Sequence, residues 1–309
     1  MKVLILGSKG QLGRALSQSV AGVRKILGLD LPELDITSSK SVRTSFESIA
    51  PDVVVNAAAY TAVDQAESEP EVASRINEEG AGIVAQIAGE VGARLIHIST
   101  DFVFDGEKSS PYSTEDKTNP LSVYGISKRD GELRVLDALP HSSVILRTAW
   151  LYSNSGNNFV LTMLRLLNER DEIGIVEDQI GSPTWTHSLA DAVWAFVEDP
   201  KLAGVFHWTD SGVASWYDFA VAIQEEAQAL GLLGRTIPIY PISTTQYPTP
   251  ARRPSYSVLD KSSIFAVLSV HPPHWRVNLR AMLKKMKAES AMRLPQTSKG
   301  QTRLCSNRV

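Results

Sequence analysis

Residues 3–13 constrain this chain more than any other stretch. Val3-Leu4-Ile5-Leu6 is a short apolar run, and Gly7-Ser8-Lys9-Gly10-Gln11-Leu12-Gly13 follows it without a gap. A strand that stops on glycines spaced G-x-x-G-x-x-G and restarts as a helix must turn tightly. Such a turn brings backbone N–H groups to a helix N-terminus, where a pyrophosphate can approach them. The spacing is a variant of the dinucleotide fingerprint. Glycines alone carry little weight, because many tight turns use them; the strand before and the helix after give the motif its force.

The rest of the first half repeats the alternation. Strands are expected at Val3–Leu6, Ile26–Leu29, Val53–Asn56, Leu95–Ser99 and Val144–Arg147, with helices near 11–20, 39–49, 71–91 and 122–138. Nearly continuous apolar strands separated by amphipathic stretches predict an α/β fold, a Rossmann-type doubly wound parallel sheet buried on both faces. After Trp150 the texture changes, with helices near 157–169, 188–198 and 215–230 set between loops rich in Gly, Pro, Ser and Thr. Tyr247-Pro248-Thr249-Pro250-Ala251-Arg252-Arg253-Pro254 excludes both helix and central strand and predicts a rigid loop. The expected organisation is a dinucleotide-binding domain over 1–149, joined later by about 188–208. A smaller interleaved substrate-binding lobe covers 150–286, and a disordered tail covers 287–309. The 309 residues suffice for one large core plus a smaller one.

Composition narrows the function class. Hydrophobic content of 43%, charged content of 21% and a net charge of -3 are ordinary for a globular protein and give no electrostatic case for nucleic acid or a membrane surface. The one cysteine, Cys305, cannot form an intramolecular disulfide, and the first apolar run leads into the glycine motif rather than a cleavage site. No run reaches the roughly 20 apolar residues of a membrane span. A cytoplasmic location is expected, as a monomer or homodimer. No Gly-x-Ser-x-Gly elbow or Gly-Lys-Ser/Thr loop is present, and His271 and His274 flank Pro272-Pro273, which prevents a helical metal-ligand pair, so no metal is expected.

Candidate cofactor contacts begin with Gly7, Gly10, Gln11 and Leu12. Asp30 ends the second predicted strand, where a carboxylate can accept from adenosine ribose hydroxyls. Its charge repels a 2′-phosphate and favours NADH, whereas Lys9 and Arg14 are near in sequence and can neutralise that phosphate; NADPH or NADH stays open. Asp35 and Ile36 join the set. Ala57, Ala58 and Ala59, at the end of the third strand, are small enough for a close backbone approach, although ordinary packing explains alanines as well.

Tyr124-Gly125-Ile126-Ser127-Lys128 puts a phenol and an ammonium four residues apart on one helical face. Reduction of a carbonyl needs a proton for the nascent alkoxide. A phenol delivers it best when a nearby cation draws its pKa from about 10 toward neutrality. The pair alone is common by chance; its position after the fourth strand, opening a helix, gives it weight. That strand ends in Ser99-Thr100-Asp101, where the Thr100 hydroxyl can donate to the same carbonyl oxygen. Thr100, Tyr124 and Lys128 are therefore the candidate catalytic residues.

Together these residues resemble the extended short-chain dehydrogenase/reductases, and within them the dTDP-4-dehydrorhamnose reductases. The resemblance spans about residues 1–286. It is carried by Asn56-Ala57-Ala58-Ala59-Tyr60-Thr61-Ala62-Val63-Asp64-Gln65-Ala66-Glu67, Ser99 to Gly106, Val123 to Lys128, Arg147 to Tyr152, Asn157-Asn158-Phe159, Asp178 to Thr184 and Tyr247 to Pro254. It implies reduction of the C4 keto group of dTDP-4-dehydro-L-rhamnose, with Tyr124 as proton donor. A nucleotide-sugar substrate would meet Thr100, Asp101, Tyr124, the indole of Trp150, and Arg252 and Arg253 at its diphosphate. Phe102 stands where the family commonly has Tyr, and Arg14-Ala15-Leu16 lacks the acid with which some members bridge a dimer through a metal. Two alternatives stay open: a non-catalytic NADP-binding regulatory subunit resembling the β subunit of methionine adenosyltransferase, and a nucleotide-sugar epimerase or dehydratase.

Overall fold

The computed structural model describes residues 1–19, 25–268 and 271–293. Cys305 and the end of the expected tail lie outside the described residues. The first half runs β1 (Lys2–Leu6), α1 (Gln11–Gln18), β2 (Lys25–Leu29), α2 (Ser39–Ile49) and β3 (Val53–Asn56). It continues through α3 (Val63–Ala66), α4 (Pro70–Ser74), a π-helical turn over Arg75–Gly80, α5 (Ala81–Glu90), β4 (Arg94–Thr100), α6 (Val123–Ala138) and β5 (Ser143–Thr148). Beyond it come β6 (Leu151–Tyr152), α7 (Phe159–Glu169), β7 (Ile173–Val176), β8 (Ile180–Gly181), β9 (Thr184–Trp185) and α8 (Thr186–Glu198). The described chain ends with β10 (Gly204–His207), β11 (Ala214–Ser215), α9 (Trp216–Ala229), β12 (Ile239–Ile242), α10 (Ser262–Leu268) and α11 (Trp275–Arg293).

Six strands pair in the order β2-β1-β3-β4-β5-β10, all parallel. This is the expected α/β doubly wound sheet. Strand β10 returns from the second half to pair with β5. Alternate residues of a strand face opposite sides, so Val3, Ile5, Val53 and Val55 pack with α1 and α8, whereas Leu4, Leu6 and Val54 pack with α2, α5 and α6. Every residue of β3, β4 and β5 is buried, which is why these strands read as continuous apolar runs. Strand order reverses between β1 and β3, and a crevice at such a switch point is where open α/β sheets bind ligands.

A separate core forms from Tyr152, Met163 and Leu167, Phe219 and Ile223 of α9, and Leu279, Met282 and Leu283 of α11. Helix α11 corrects the expected tail, since it continues through Arg293. Its charged face is held: Arg276 and Arg280 donate to Glu226 of α9 at 2.9 and 2.7 Å, and Glu289 accepts from Asn154 at 2.7 Å. Polar composition past residue 286 hid a helix that ion pairs anchor. The single helix expected over 71–91 is interrupted by the π turn, which buries Asn77. From there the Asn77 amide donates to the Tyr60 carbonyl and to Ser127 Oγ, binding the loop after β3 to α6.

Candidate active site

The glycine turn closes the crevice between β1 and β3. Gly7 adopts φ +75°, and a Cβ there would lie 2.7 Å from the Ala58 backbone nitrogen. Gly13 backs onto the Gly7 carbonyl so closely that a Cβ would collide with it. Gly10 caps α1 without a side-chain hydrogen bond, and the first turn carries no acid. The first-turn N–H groups of Gln11, Leu12 and Gly13 thus meet no capping side chain. A cradle without side chains, at a helix N-terminus and beside Ala57 and Ala58, fits a dinucleotide pyrophosphate.

Asp30 follows β2 with one carboxylate oxygen accepting from the Lys9 backbone N–H at 2.9 Å and the other from that of Leu31 at 2.8 Å. A carboxylate has further lone pairs and can still accept from a ribose. The Lys9 ammonium is engaged at the Leu31 carbonyl, 2.7 Å, and Glu33, 3.0 Å. Asp35 holds Thr37 through backbone and hydroxyl bonds at 2.9 and 2.8 Å. Ile36 is a core residue, clustered with Leu34 and Phe46. The Gln11 amide turns to the other half, donating to the Asn157 carbonyl and accepting from Ser153 and Asn158; its backbone stays at the cradle.

Strand β4 and helix α6 position the catalytic candidates. Ser122 caps α6 by accepting from the Gly125 N–H at 3.2 Å, and the Glu67 carboxylate accepts from the Val123 N–H at 2.8 Å, matching the positive helix end. One turn beyond Lys128, buried Glu132 accepts from Arg147 at 2.7 Å and also from Ser99, fastening α6 to β4 and β5. Phe102 meets the Tyr124 ring edge-on at 5.6 Å. Burial pushes the Tyr124 phenol up to about 12, helped by the Asp101 charge and opposed by the Thr100 hydroxyl. The Lys128 ammonium is buried and donates to the Ile98 carbonyl at 2.7 Å; burial pushes it down to about 8 against the pull of Glu132. The expectation that Lys128 draws the phenol toward neutrality is therefore not met in this state. Desolvation is the largest influence on both groups, and the ammonium spends a hydrogen bond on the backbone.

Asp101 lies beneath this pair rather than at an open wall. It is 2% exposed and accepts from Thr100 Oγ1 at 3.0 Å. Burial raises it to about 6, with hydrogen bonds from Ser257 and Thr100 acting the other way.

A cavity of about 680 Å³ is lined by Asp64 together with residues of the second half, among them Phe159, Gln179, Trp216, Thr249 and Arg253. Trp150, at φ +48°, stacks on Trp216 at 3.5 Å and 3°, and it is Trp216 that lines the cavity. Gln179 orients Trp216 by accepting from its Nε1 at 3.2 Å. The two arginines divide as well: Arg253 lines the cavity, whereas Arg252 is exposed and is absent from its wall. Arg253 is paired with Asp64 at 2.7 Å, which holds that carboxyl below its ordinary range. Sequence reasoning missed Asp64, Trp216 and Gln179 because their partners lie far along the chain. Asp64 and Gln179 did fall inside stretches that carry the family resemblance.

Comparison with known proteins identifies the family. The family model for the RmlD substrate binding domain matches residues 1–288. The chain is 42% identical over 286 residues to the dTDP-4-dehydrorhamnose reductase of Aggregatibacter actinomycetemcomitans, covering 90% of this chain and 97% of that one. It belongs to the dTDP-4-dehydrorhamnose reductase family. A crystal structure of a family member from Clostridium acetobutylicum superposes with a TM-score of 0.88 at 40% identity, covering 93% of this chain and 100% of that one. Another, from Bacillus anthracis in complex with NADP, gives 0.87 at 36% identity, covering 92% and 99%. Among the described residues, no helix of this family member is long and apolar enough to cross a membrane.

Proposed function

We propose that this chain reduces the C4 carbonyl of dTDP-4-dehydro-L-rhamnose to the alcohol of dTDP-L-rhamnose, using NADPH or NADH. The reading is carried by Thr100 at the end of β4 and Tyr124 on α6, with Lys128 of α6 held to the same strand at Ile98. A nicotinamide dinucleotide bound at the glycine cradle supplies the hydride that adds to C4. Tyr124 holds the proton that goes to the C4 oxygen, and its raised pKa keeps that proton in place until an alkoxide forms. The Thr100 hydroxyl, turned from Asp101 Oδ1 to the substrate, donates to the same oxygen and stabilises its developing charge. Lys128 stabilises the phenolate left behind and can reach a ribose hydroxyl when it releases Ile98. Hydride and proton together convert C=O to CH–OH, so the balance closes with one oxidised cofactor per sugar.

The nucleotide end of the substrate is assigned to the 680 Å³ cavity, with Arg253 at its diphosphate and Trp216 as the aromatic wall. We assign the reaction to the cytoplasm, where reduced nicotinamides and nucleotide sugars are both made. The test is product stoichiometry after incubation with dTDP-4-dehydro-L-rhamnose and a limiting amount of reduced cofactor. A reductase forms one dTDP-L-rhamnose per cofactor oxidised. An epimerase alters the sugar without net oxidation, and a regulatory subunit does neither.

A further inference from the structure

The end fork of the Arg253 guanidinium is already filled. Nη1 donates to Asp64 Oδ1 at 3.0 Å and Nη2 to Asp64 Oδ2 at 2.7 Å, a bidentate contact across 189 positions of sequence. Nη1 also donates to Thr249 Oγ1 and, at 3.3 Å, to the Ala251 carbonyl. Asp64 Oδ1 accepts the Ala251 N–H at 3.2 Å as well, so one carboxylate holds both the guanidinium and its loop. A second tether, Ser255 Oγ to the Gly106 carbonyl at 3.0 Å, fixes the far side of that loop. Among the described residues no acceptor meets Nε or the second Nη2 hydrogen. Those two hydrogens form the side fork of the planar group, a parallel pair suited to a phosphate.

We infer that Asp64 is a positioning residue for substrate binding: by occupying the end fork of Arg253 at the cavity wall, it presents the side fork to a phosphate of the nucleotide sugar. The inference rests on the reading that the nucleotide sugar occupies this cavity. Stability does not account for the pair, because side chains 22% and 41% exposed form an ion pair of small net worth. An acid beside a phosphate site also repels the ligand, a cost that only orientation of the arginine offsets. Stiffness supports the same role, since Pro248, Pro250 and Pro254 limit the loop and little ordering remains to be lost on binding.

The test is a double-mutant cycle read by calorimetry, with dTDP and thymidine as probes, on Asp64→Asn, Asp64→Ala, Arg253→Ala and the Asp64→Asn/Arg253→Ala pair. Arg253→Ala is expected to weaken dTDP about 10–150-fold, the worth of charge-assisted hydrogen bonds. Asp64→Asn, which keeps the side-chain volume, is expected to weaken it about 3–10-fold, and to weaken it no further once Arg253 is gone. Thymidine, which lacks phosphate, should bind all variants alike. A weakening of dTDP by Asp64→Asn that persists in the Arg253→Ala background, or an Asp64 effect that extends to thymidine, overturns the inference in favour of simple loop support. Unchanged or tighter dTDP binding by both Asp64 variants overturns it too. If Arg253→Ala itself leaves dTDP affinity unchanged, the cavity assignment fails, and the inference with it.

Discussion

The Lys128 ammonium donates to the Ile98 carbonyl at 2.7 Å, two residues before Thr100 on the same strand. Helix α6 is thereby tied to the strand that supplies the hydroxyl, and Tyr124, one turn before Lys128, is placed by the same contact. Burial lowers Lys128 to about 8 and raises Tyr124 to about 12. At neutral pH the lysine is thus mostly charged and the phenol keeps its proton. That is the protonation state a reduction requires at its start.

Replacing Tyr124 by Phe keeps the ring and its edge contact with Phe102 but removes the proton. Turnover is expected to fall about 10²–10⁴-fold with cofactor affinity little changed. Steady-state kinetics decide it; a variant within about threefold of the parent removes Tyr124 from the proton-donor role.

The two neighbouring arginines should behave differently. Arg253→Ala is expected to raise substrate KM about 10–150-fold through lost charge-assisted contacts. Arg252→Ala, whose side chain is exposed and away from the cavity wall, should stay within about threefold of the parent. Equal effects from both would contradict the assignment of the clamp to Arg253 alone.

Asp101 predicts a pH dependence of stability. Its folded pKa, about 6, lies above the ordinary 3.8, so the folded chain binds a proton that the unfolded chain has released. The corresponding stability is full below about pH 4 and is lost as pH rises through about 6, on the order of 3 kcal/mol in all. Asp101→Asn should show a smaller loss between about pH 4 and 7 than the parent, measured by urea unfolding across that range. Identical slopes would show that Asp101 titrates normally.

Gly7→Ala places a methyl 2.7 Å from the Ala58 nitrogen at φ +75°. A loss of roughly 1–3 kcal/mol in stability is expected, with weaker dinucleotide binding from a displaced turn. Thermal unfolding together with cofactor titration checks both; an unaltered cofactor affinity would place the pyrophosphate away from this turn.

Much of the frame was legible because local rules sufficed. The five strands of the first half emerged as apolar runs since parallel strands are buried on both faces. The catalytic trio stood out because Thr100 closes a strand and Tyr124 and Lys128 share one helical face. Nothing local marked helix α11, whose stability comes from Glu226 on α9 and from a shared apolar core. The two-residue strands β6, β8, β9 and β11 are likewise products of pairing rather than of propensity. The stack of Trp150 on Trp216 was not legible, because the two indoles lie far apart in sequence. Charge proximity alone would let Lys128 lower the phenol, but desolvation is the largest influence on both groups.

The most direct test of the account is loss of reduced-nicotinamide absorbance when the purified chain is mixed with dTDP-4-dehydro-L-rhamnose and NADPH or NADH. The account predicts oxidation that depends on the sugar, equals the dTDP-L-rhamnose formed, and falls at least about 100-fold in the Tyr124→Phe variant. Absence of sugar-dependent oxidation with both cofactors, or turnover that survives loss of the Tyr124 hydroxyl, would contradict it.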